Sequence, residues 1–191
     1  MTLGKFLALV TPDLYRGSLP EKQSRPLRAL VTEGLARGAS LKRIAYVLAS
    51  AHHETGRFLH LEEIASGEAY EGREKTLGNT EPGDGPRFKG RGFIQITGRD
   101  NYTRMSSVVG VDLVADPDAA MLPDIACVIA WHGMSEGTFT GRKLADYITP
   151  AKCDFISARR IVNGDVAKNG ALIAGYADAF LAALIAAGGA P

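Results

Sequence analysis

The chain has 191 residues, of which 46% are hydrophobic and 23% are charged. These proportions are typical of a globular protein and exclude a disordered one. The 22 basic and 21 acidic residues leave a net charge of +1, so the composition gives no broad basic surface for nucleic acid or for an anionic membrane. The length is sufficient for one substantial core with a small second lobe, and we expect a single domain over residues 1–191.

The N-terminal segment MTLGKFLALVTPDL has one lysine before a run of only five apolar residues. This run is too short for the core of an export signal and far below the roughly 18 apolar residues of a membrane span. We therefore expect synthesis in the host cytoplasm without a cleaved signal peptide, and no stable insertion into a membrane.

Two helices are predicted next along the chain. Apolar residues recur at helical spacing over residues 24–37, and Gly38 is suited to end this helix. Ser40 is suited to cap a second helix, whose apolar stripe covers residues 41–55 before Gly56.

The middle of the chain, about residues 59–91, is rich in glycine, proline and turn residues. This composition predicts loops with short hairpin-like pieces around a cleft. In the following stretch, FKGRGFIQITGRDNY at 88–102, two isoleucines alternate with Gln95 and Thr97. The alternation predicts a short extended segment with polar side chains on one side.

Helical signals return in the second half of the chain. Thr97 fits an N-cap, with Asp100 near the capping-box position. Further helices are predicted near residue 116, from 123 through 131, over 154–162 and over 166–187. The predicted fold class is mainly α with a little β.

Histidines and cysteines do not indicate a metal or redox site. The HHE sequence at 52–54 lacks two histidines four residues apart on one helix face, so no metal is expected. His52 lies on the apolar stripe, which predicts a core histidine with a satisfied ring. Cys127 and Cys153 have no metal-ligand or CxxC spacing, which leaves free thiols or a disulfide between them open.

Glu54 is the acidic residue whose position is most informative. It lies in the last turn of the second predicted helix, at the edge of the apolar stripe, where the helix dipole and partial burial would both oppose ionisation. A general acid requires such conditions. The alternative is an ion pair with Arg57 or with a basic residue of 87–91, and the sequence leaves both interpretations open.

Five segments resemble, in this order, the signature segments of glycoside hydrolase family 19, which contains chitinases and chitinase-like phage endolysins. They are HETG at 53–56, FKGRGFIQITGRDNY at 88–102, GVDLVADPDAA at 110–120, AWHG at 130–133 and IVNG at 161–164. The resemblance implies a lysozyme-like fold, in which a helical bundle of two lobes and a small β-hairpin and loop region flank a glycan-binding cleft.

The resemblance also implies roles for individual residues. Glu54 would be the general acid, and Thr97 would position the attacking water. The general base would be Glu63, nine positions after Glu54 as in shorter phage-type relatives, with Glu71 as second choice. The residues implied or expected to bind the glycan are Gln95, Asn101, Tyr70, Arg91 and Asn163.

The function implied is that of an endolysin that cleaves a β-1,4 bond between the aminosugars of peptidoglycan, by inversion and without a cofactor. The chain lacks the several disulfide cysteines of plant chitinases, which argues against chitin as the natural substrate, and its small size and the expected absence of a signal peptide favour the phage-type interpretation. A chitinase and a catalytically silent glycan-binding protein are the alternatives. We expect a monomer that acts on the cell wall after release from the cytoplasm and does not bind nucleic acid.

Overall fold

The computed structural model describes residues 1–189, most of which are helical. The α-helices of this range are α1 Leu3–Leu14, α2 Glu21–Ala36, α3 Leu41–Glu54, α4 Glu74–Leu77, α5 Asp84–Arg87, α6 Arg99–Val109, α7 Pro123–Glu136, α8 Leu144–Tyr147 and α9 Ala171–Ala186. Short 3₁₀ turns lie at Glu68–Tyr70, Pro117–Met121 and Ser157–Ile161, and one π turn at Val166–Gly170. The predicted mainly α class is confirmed.

The central element is α3, which was predicted from its stripe and its cap. Ser40 Oγ accepts a hydrogen bond from the backbone N–H of Arg43, as expected of an N-cap. Every residue from Ile44 to His52 is buried, because α9, α2 and α7 all pack against this helix. The helix ends at Glu54, so the side chain of Glu54 lies at the edge of the core.

The buried apolar residues form two clusters, which correspond to two lobes. The larger core includes the buried faces of α1, α2, α3 and α9 together with Trp131 of α7. The smaller core gathers residues of the loop region and α6 around Phe88, Tyr102 and Met105. Helix α7 contributes to both cores, since Ile129 belongs to the smaller one. The predicted arrangement of two lobes is thus present.

The predicted β part is much reduced. Within residues 1–189 it consists of isolated bridge pairs, namely Glu62 with Arg91, Arg91 with Ile96, and Ile148 with Cys153. Both cysteines are free thiols, Cys127 buried and Cys153 exposed.

The prediction of an extended segment around Gln95 is wrong. The backbone from Gly92 to Gln95 makes a tight turn, which Arg91 and Ile96 close by exchanging two hydrogen bonds of 3.2 and 3.0 Å. Gln95 has a φ of 54°, in the left-handed region that few residues other than glycine adopt. The cap predicted at Thr97 is also wrong, because Gly98 occupies the N-cap position of α6 and Thr97 Oγ1 donates instead to the carbonyl of Gln95.

Several helix boundaries differ from the predictions. The helices predicted near 116 and over 154–162 are single 3₁₀ turns, and the one predicted over 166–187 is divided into a π turn and α9. Helix α1 was not predicted, although Phe6, Val10 and Leu14 follow a helical spacing and are buried. Pro12 lies in its last turn, where the loss of one backbone N–H ends the helix soon afterwards.

The C-terminal stretch Val166–Ala186 is long and apolar enough to cross a membrane by length and composition alone, with a mean hydropathy of 1.5. In this structure α9 lies against α3 and α1, and its Phe180 and Leu184 side chains are completely buried. We interpret it as a core helix of the larger lobe.

His52 is a core histidine, as predicted. It is 3% exposed, and its Nδ1 lies 3.2 Å from the hydroxyl oxygen of Tyr15. The rings of Tyr15, Tyr176 and Phe180 surround the imidazole. Burial lowers the pKa of His52 to about 4, because a charged imidazolium would lose its hydration in this environment.

This burial predicts a decrease in stability on acidification. The unfolded chain takes up a proton at His52 near pH 6.5 and the folded chain only near pH 4, so protonation between these values favours unfolding. We expect the free energy of unfolding, measured in urea, to fall by up to roughly 3 kcal/mol between pH 7 and pH 4 through this residue. In His52→Phe the free energy of unfolding should therefore fall less on acidification. The part of the decrease that comes from His53 should remain, because burial also lowers the pKa of His53. An unchanged pH dependence in the variant would contradict the assignment.

Candidate active site

Glu54 stands where the larger lobe meets two neighbouring cavities. The first, called here the Thr97 cavity, has a volume of about 220 Å³ and is lined by Glu54, Leu77, Ile94, Gln95, Ile96, Thr97, Asn101, Phe139, Val162 and Asn163. The second, the Glu63 cavity, has a volume of about 340 Å³ and is lined by Glu54, Thr55, Gly56, His60, Glu62, Glu63, Ile64, Ala65 and Gln95. Because Glu54 and Gln95 line both, the cavities are adjacent parts of one cleft.

A third cavity is larger, with a volume of about 470 Å³, but its lining residues do not suit acid–base catalysis. It lies between the start of α3 and the end of α9, and its lining includes Lys42 and Arg43 but no carboxylate. Acid–base cleavage of a glycan requires two carboxyl groups. The smaller cleft around Glu54 is therefore the candidate active site.

Glu63 is fixed by hydrogen bonds to both of its carboxylate oxygens. The hydroxyl of Tyr70 donates to Oε1 at 2.9 Å, and the backbone N–H of Gly90 donates to Oε2 at 3.1 Å. The backbone N–H of Glu63 in turn donates to the carbonyl of Gly90 at 2.8 Å. These two donors fix the orientation of the Glu63 carboxylate at the edge of the cleft.

Glu71, the second choice for the base, has a different environment. Its Oε1 accepts a 2.6 Å hydrogen bond from the backbone N–H of Gly83, and its Oε2 a 2.7 Å bond from that of Gly85. Glu71 does not line either part of the cleft. Its carboxylate joins two segments of the loop region, which favours a structural role.

The predicted glycan-binding residues are divided between the cleft and the protein interior. Gln95, Asn101 and Asn163 line the Thr97 cavity. Asn101 directs its Nδ2 to the carbonyl of Thr97 at 2.8 Å, so this amide also supports the turn beneath the cleft. Tyr70 reaches the cleft only indirectly, through its hydrogen bond to Glu63, and both burial and this bond raise its pKa.

Arg91 was expected to bind the glycan but has structural partners. Its side chain is 8% exposed, and its Nη2 lies 3.2 Å from Oε1 of Glu62 while its Nε lies 2.9 Å from Oδ1 of Asp118. Nη1 donates to the carbonyl of Arg87 at 2.8 Å. Because Arg91 lines neither cavity, we assign it to the packing of the smaller lobe rather than to the substrate.

Arg159, which no sequence pattern indicated, is the ion-pair partner of Glu54. Its Nη1 donates to Glu54 Oε1, and its Nε donates to Asp165 Oδ1 at 2.5 Å. The side chain of Arg159 is 3% exposed and that of Glu54 is 17% exposed. The prediction that Glu54 pairs with Arg57 or with a basic residue of 87–91 is therefore wrong. The sequence signal was the pair of arginines just before IVNG, in a segment that is otherwise apolar.

The guanidinium of Arg159 also forms an ion pair with Asp165. Hydrogen bonding to Arg159 lowers the pKa of the Asp165 carboxyl, and the Nδ2 of Asn169 donates to its other oxygen at 2.5 Å. Arg159 is thus shared by two carboxylates, one inside the cleft and one beside it. The shared cation keeps Glu54 in place at the end of α3.

Replacement of Arg159 should reveal how strongly this buried ion pair supports the fold. Arg159→Met keeps the apolar stem but leaves Glu54 and Asp165 without their cation, and we expect a loss of about 3 to 5 kcal/mol in the free energy of unfolding at pH 7. Arg160→Met, at the exposed neighbouring arginine, is the matched control and should change stability little. Urea denaturation measures both, and equal small effects would rule out this role for Arg159.

No protein-family model matches the chain, but individual relatives do. An endochitinase of Arabidopsis thaliana is 40% identical over 93 residues, which is 47% of this chain and 31% of the relative. A glycosyl hydrolase family 19 domain-containing protein of Haemophilus influenzae is 36% identical over 55 residues, 29% of this chain and 28% of the relative. The matches thus span about a third of these relatives.

Solved structures extend the similarity to nearly the whole chain. Chitinase C from Streptomyces griseus superposes with a TM-score of 0.65 and 18% identity, over 96% of this chain and 75% of the chitinase chain. At this identity the superposition shows that the fold is shared. The chain is thus similar in sequence to endochitinases and to a glycosyl hydrolase family 19 domain-containing protein over part of its length, and it shares the fold of chitinases over nearly all of it.

Proposed function

We propose that the chain is a glycoside hydrolase that cleaves the β-1,4 bond between aminosugars with inversion at the anomeric carbon. The observation that carries this proposal is that Glu54 and Glu63 line one cavity in different environments. Glu54 faces a buried arginine, whereas Glu63 accepts hydrogen bonds from a hydroxyl and a backbone amide. Acid and base roles in such enzymes depend on two carboxyl groups with different surroundings.

In the proposed reaction Glu54 gives its proton to the glycosidic oxygen as the C–O bond breaks. Glu63 removes a proton from a water that attacks the anomeric carbon from the opposite face, which requires carboxyl groups roughly 6.5 to 9.5 Å apart. Asp165 supplies a second carboxylate to Arg159, so the guanidinium stays paired when Glu54 carries the proton. After the reaction Glu54 is ionised and can pair fully with Arg159 again.

For the substrate we propose bacterial peptidoglycan. The support is the position of Glu63 nine residues after Glu54, as in shorter phage-type relatives, and the presence of only two cysteines, both free. On this proposal the protein is an endolysin that is made in the host cytoplasm and reaches the wall after release. Chitin is the second candidate, because several similar proteins are named endochitinases.

The fragments released from purified peptidoglycan and from chitin test the substrate. We expect soluble fragments from peptidoglycan, and borohydride reduction followed by mass spectrometry will identify the sugar at the new reducing end. Release from chitin alone would transfer the proposal to a chitinase. Binding to either polymer without any release would indicate the silent glycan-binding protein.

Substitution of the carboxylates tests the mechanism. Glu54→Gln removes the transferable proton with little change in size, and we expect lysis of outer-membrane-permeabilised cells to be abolished while the circular dichroism spectrum is retained. Glu63→Gln should reduce the rate by about 100-fold or more through loss of the base.

Glu71→Gln is the matched control for these two variants. It lowers the hydrogen-bonding capacity of a loop carboxylate, so it should reduce the melting temperature while the folded enzyme stays active at 25 °C. An inactive Glu71→Gln together with a mild Glu63→Gln would move the base to Glu71.

A further inference from the structure

A cavity of about 260 Å³ lies beside the candidate active site, where α1 and α3 end. It is lined by Asp13, Leu14, Arg16, His52, His53, Gly56, Arg57 and Tyr176. Gly56 also lines the Glu63 cavity, so the two spaces adjoin each other. The space is called here the arginine cavity, because its lining contains two arginines, which are charged at neutral pH.

Both arginines of this cavity stand in left-handed turns. The φ of Arg16 is 55° and that of the following Gly17 is 81°. Arg57, with φ of 68°, lies between Gly56 at 54° and Phe58 at 61°. A left-handed backbone crowds the Cβ atom, so glycine adopts it readily and other residues do so at a cost. Residues held in this way are concentrated at functional sites, where a particular side chain is needed.

The turn that carries Arg57 is fixed through its backbone. The N–H of Arg57 donates to the carbonyl of His52 at 2.7 Å. The carbonyl of Arg57 accepts a 2.6 Å hydrogen bond from Nε2 of Gln23, a residue that is 6% exposed. These contacts use the main chain of Arg57 and leave its guanidinium for another partner.

The two guanidinium groups form no ion pair in the part of the chain that the structure describes. Asp13 belongs to the same lining but pairs with neither of them. The charge of Arg57 acts inside the cavity, because after burial it is the largest cause of the lowered pKa of His52. Two cations that face a concave space attract an anion, and the guanidinium fork matches the two oxygens of a carboxylate.

We propose that the arginine cavity binds a carboxylate of the stem peptide that branches from a peptidoglycan strand in the cleft. The inference rests on the proposed function and adds a specificity site to it. Peptidoglycan strands carry short peptides with several carboxylates, whereas chitin chains carry none. An extended peptide spans roughly 3.3 Å per residue, so a stem of a few residues is long enough to pass from the Glu63 cavity into its neighbour. Asp13 would face an amino group of the same peptide.

Replacement of both arginines by glycine tests the site without weakening the turns. Arg16→Gly and Arg57→Gly remove the guanidinium groups together with the left-handed strain, so thermal melts should show a retained fold. On soluble peptidoglycan chains we expect the double variant to raise KM by at least about 10-fold, the effect of losing charge-assisted hydrogen bonds. The kcat should stay within about 2-fold, because the lost contacts are remote from the reacting atoms. The pair Arg16→Asn and Arg57→Asn is the second test, since asparagine also adopts the left-handed region.

Chains treated with an amidase, which removes the stem peptides, give the decisive comparison. On these chains the double variant should have the KM of the unchanged protein. The treated chains keep a carboxylate on each muramic sugar, so an equal rise in KM on both substrates would assign the arginines to the sugar and overturn the inference. An unchanged KM on the peptide-bearing chains would also overturn it.

The matched control is Lys5→Gln, which removes one positive charge from the exposed opposite end of α1. It should change KM on neither substrate, and a rise equal to that of the arginine variants would reduce the effect to net charge. The proposed function fails separately, if Glu54→Gln or Glu63→Gln remains active on either kind of chain.

Discussion

The buried guanidinium of Arg159 is the interaction on which the cleft depends. An unpaired charge in the interior would cost several kcal/mol, so Arg159 requires carboxylates with suitable geometry. Glu54 comes from the end of α3, and Asp165 precedes the π turn that leads into α9. These two helices pack closely along the larger core. The ion pair thus fixes the candidate acid to the most buried part of the molecule.

The opposite side of the cleft is held by polar contacts rather than by a large core. Asp84 is 1% exposed, and its Oδ2 accepts from the backbone N–H groups of Thr80 and Glu81 while Arg99 pairs with the same carboxylate. Asn79 is completely buried and accepts from the backbone N–H of Arg99 at 2.9 Å. Irregular loops leave many backbone groups unpaired, and these side chains satisfy them.

This arrangement explains the polar composition of the stretch at 88–102. Part of its polar side chains support the loops, as Arg91 and Arg99 do, and part line the cleft, as Gln95 and Asn101 do. Glycine is required where chains approach closely. A Cβ at Gly98, which has φ of +91°, would lie 2.6 Å from the carbonyl oxygen of Leu77. A rigid polar scaffold of this kind keeps functional groups at fixed positions.

Local sequence patterns predicted those features that depend on local physics. The apolar stripe and the serine cap gave α3, the position of His52 in the core and that of Glu54 at its end. Features that depend on distant contacts were not predicted. Arg159 is 105 residues from Glu54 along the chain, and no periodicity links them. The alternation around Gln95 suggested a strand, but hydrogen bonds from its amide to Leu61 and Gly92 favour a left-handed turn.

The central claim is that Glu54 and Glu63 act together on one water and one glycosidic bond. The stereochemistry of the first product tests it most directly, because an acid and a base separated by a water give inversion, whereas a nucleophilic carboxylate gives retention. Proton NMR during the first minutes of hydrolysis of a soluble β-1,4-linked aminosugar oligomer distinguishes the two anomers before they interconvert. The account predicts that the α-anomer accumulates first. Initial accumulation of the β-anomer would contradict it.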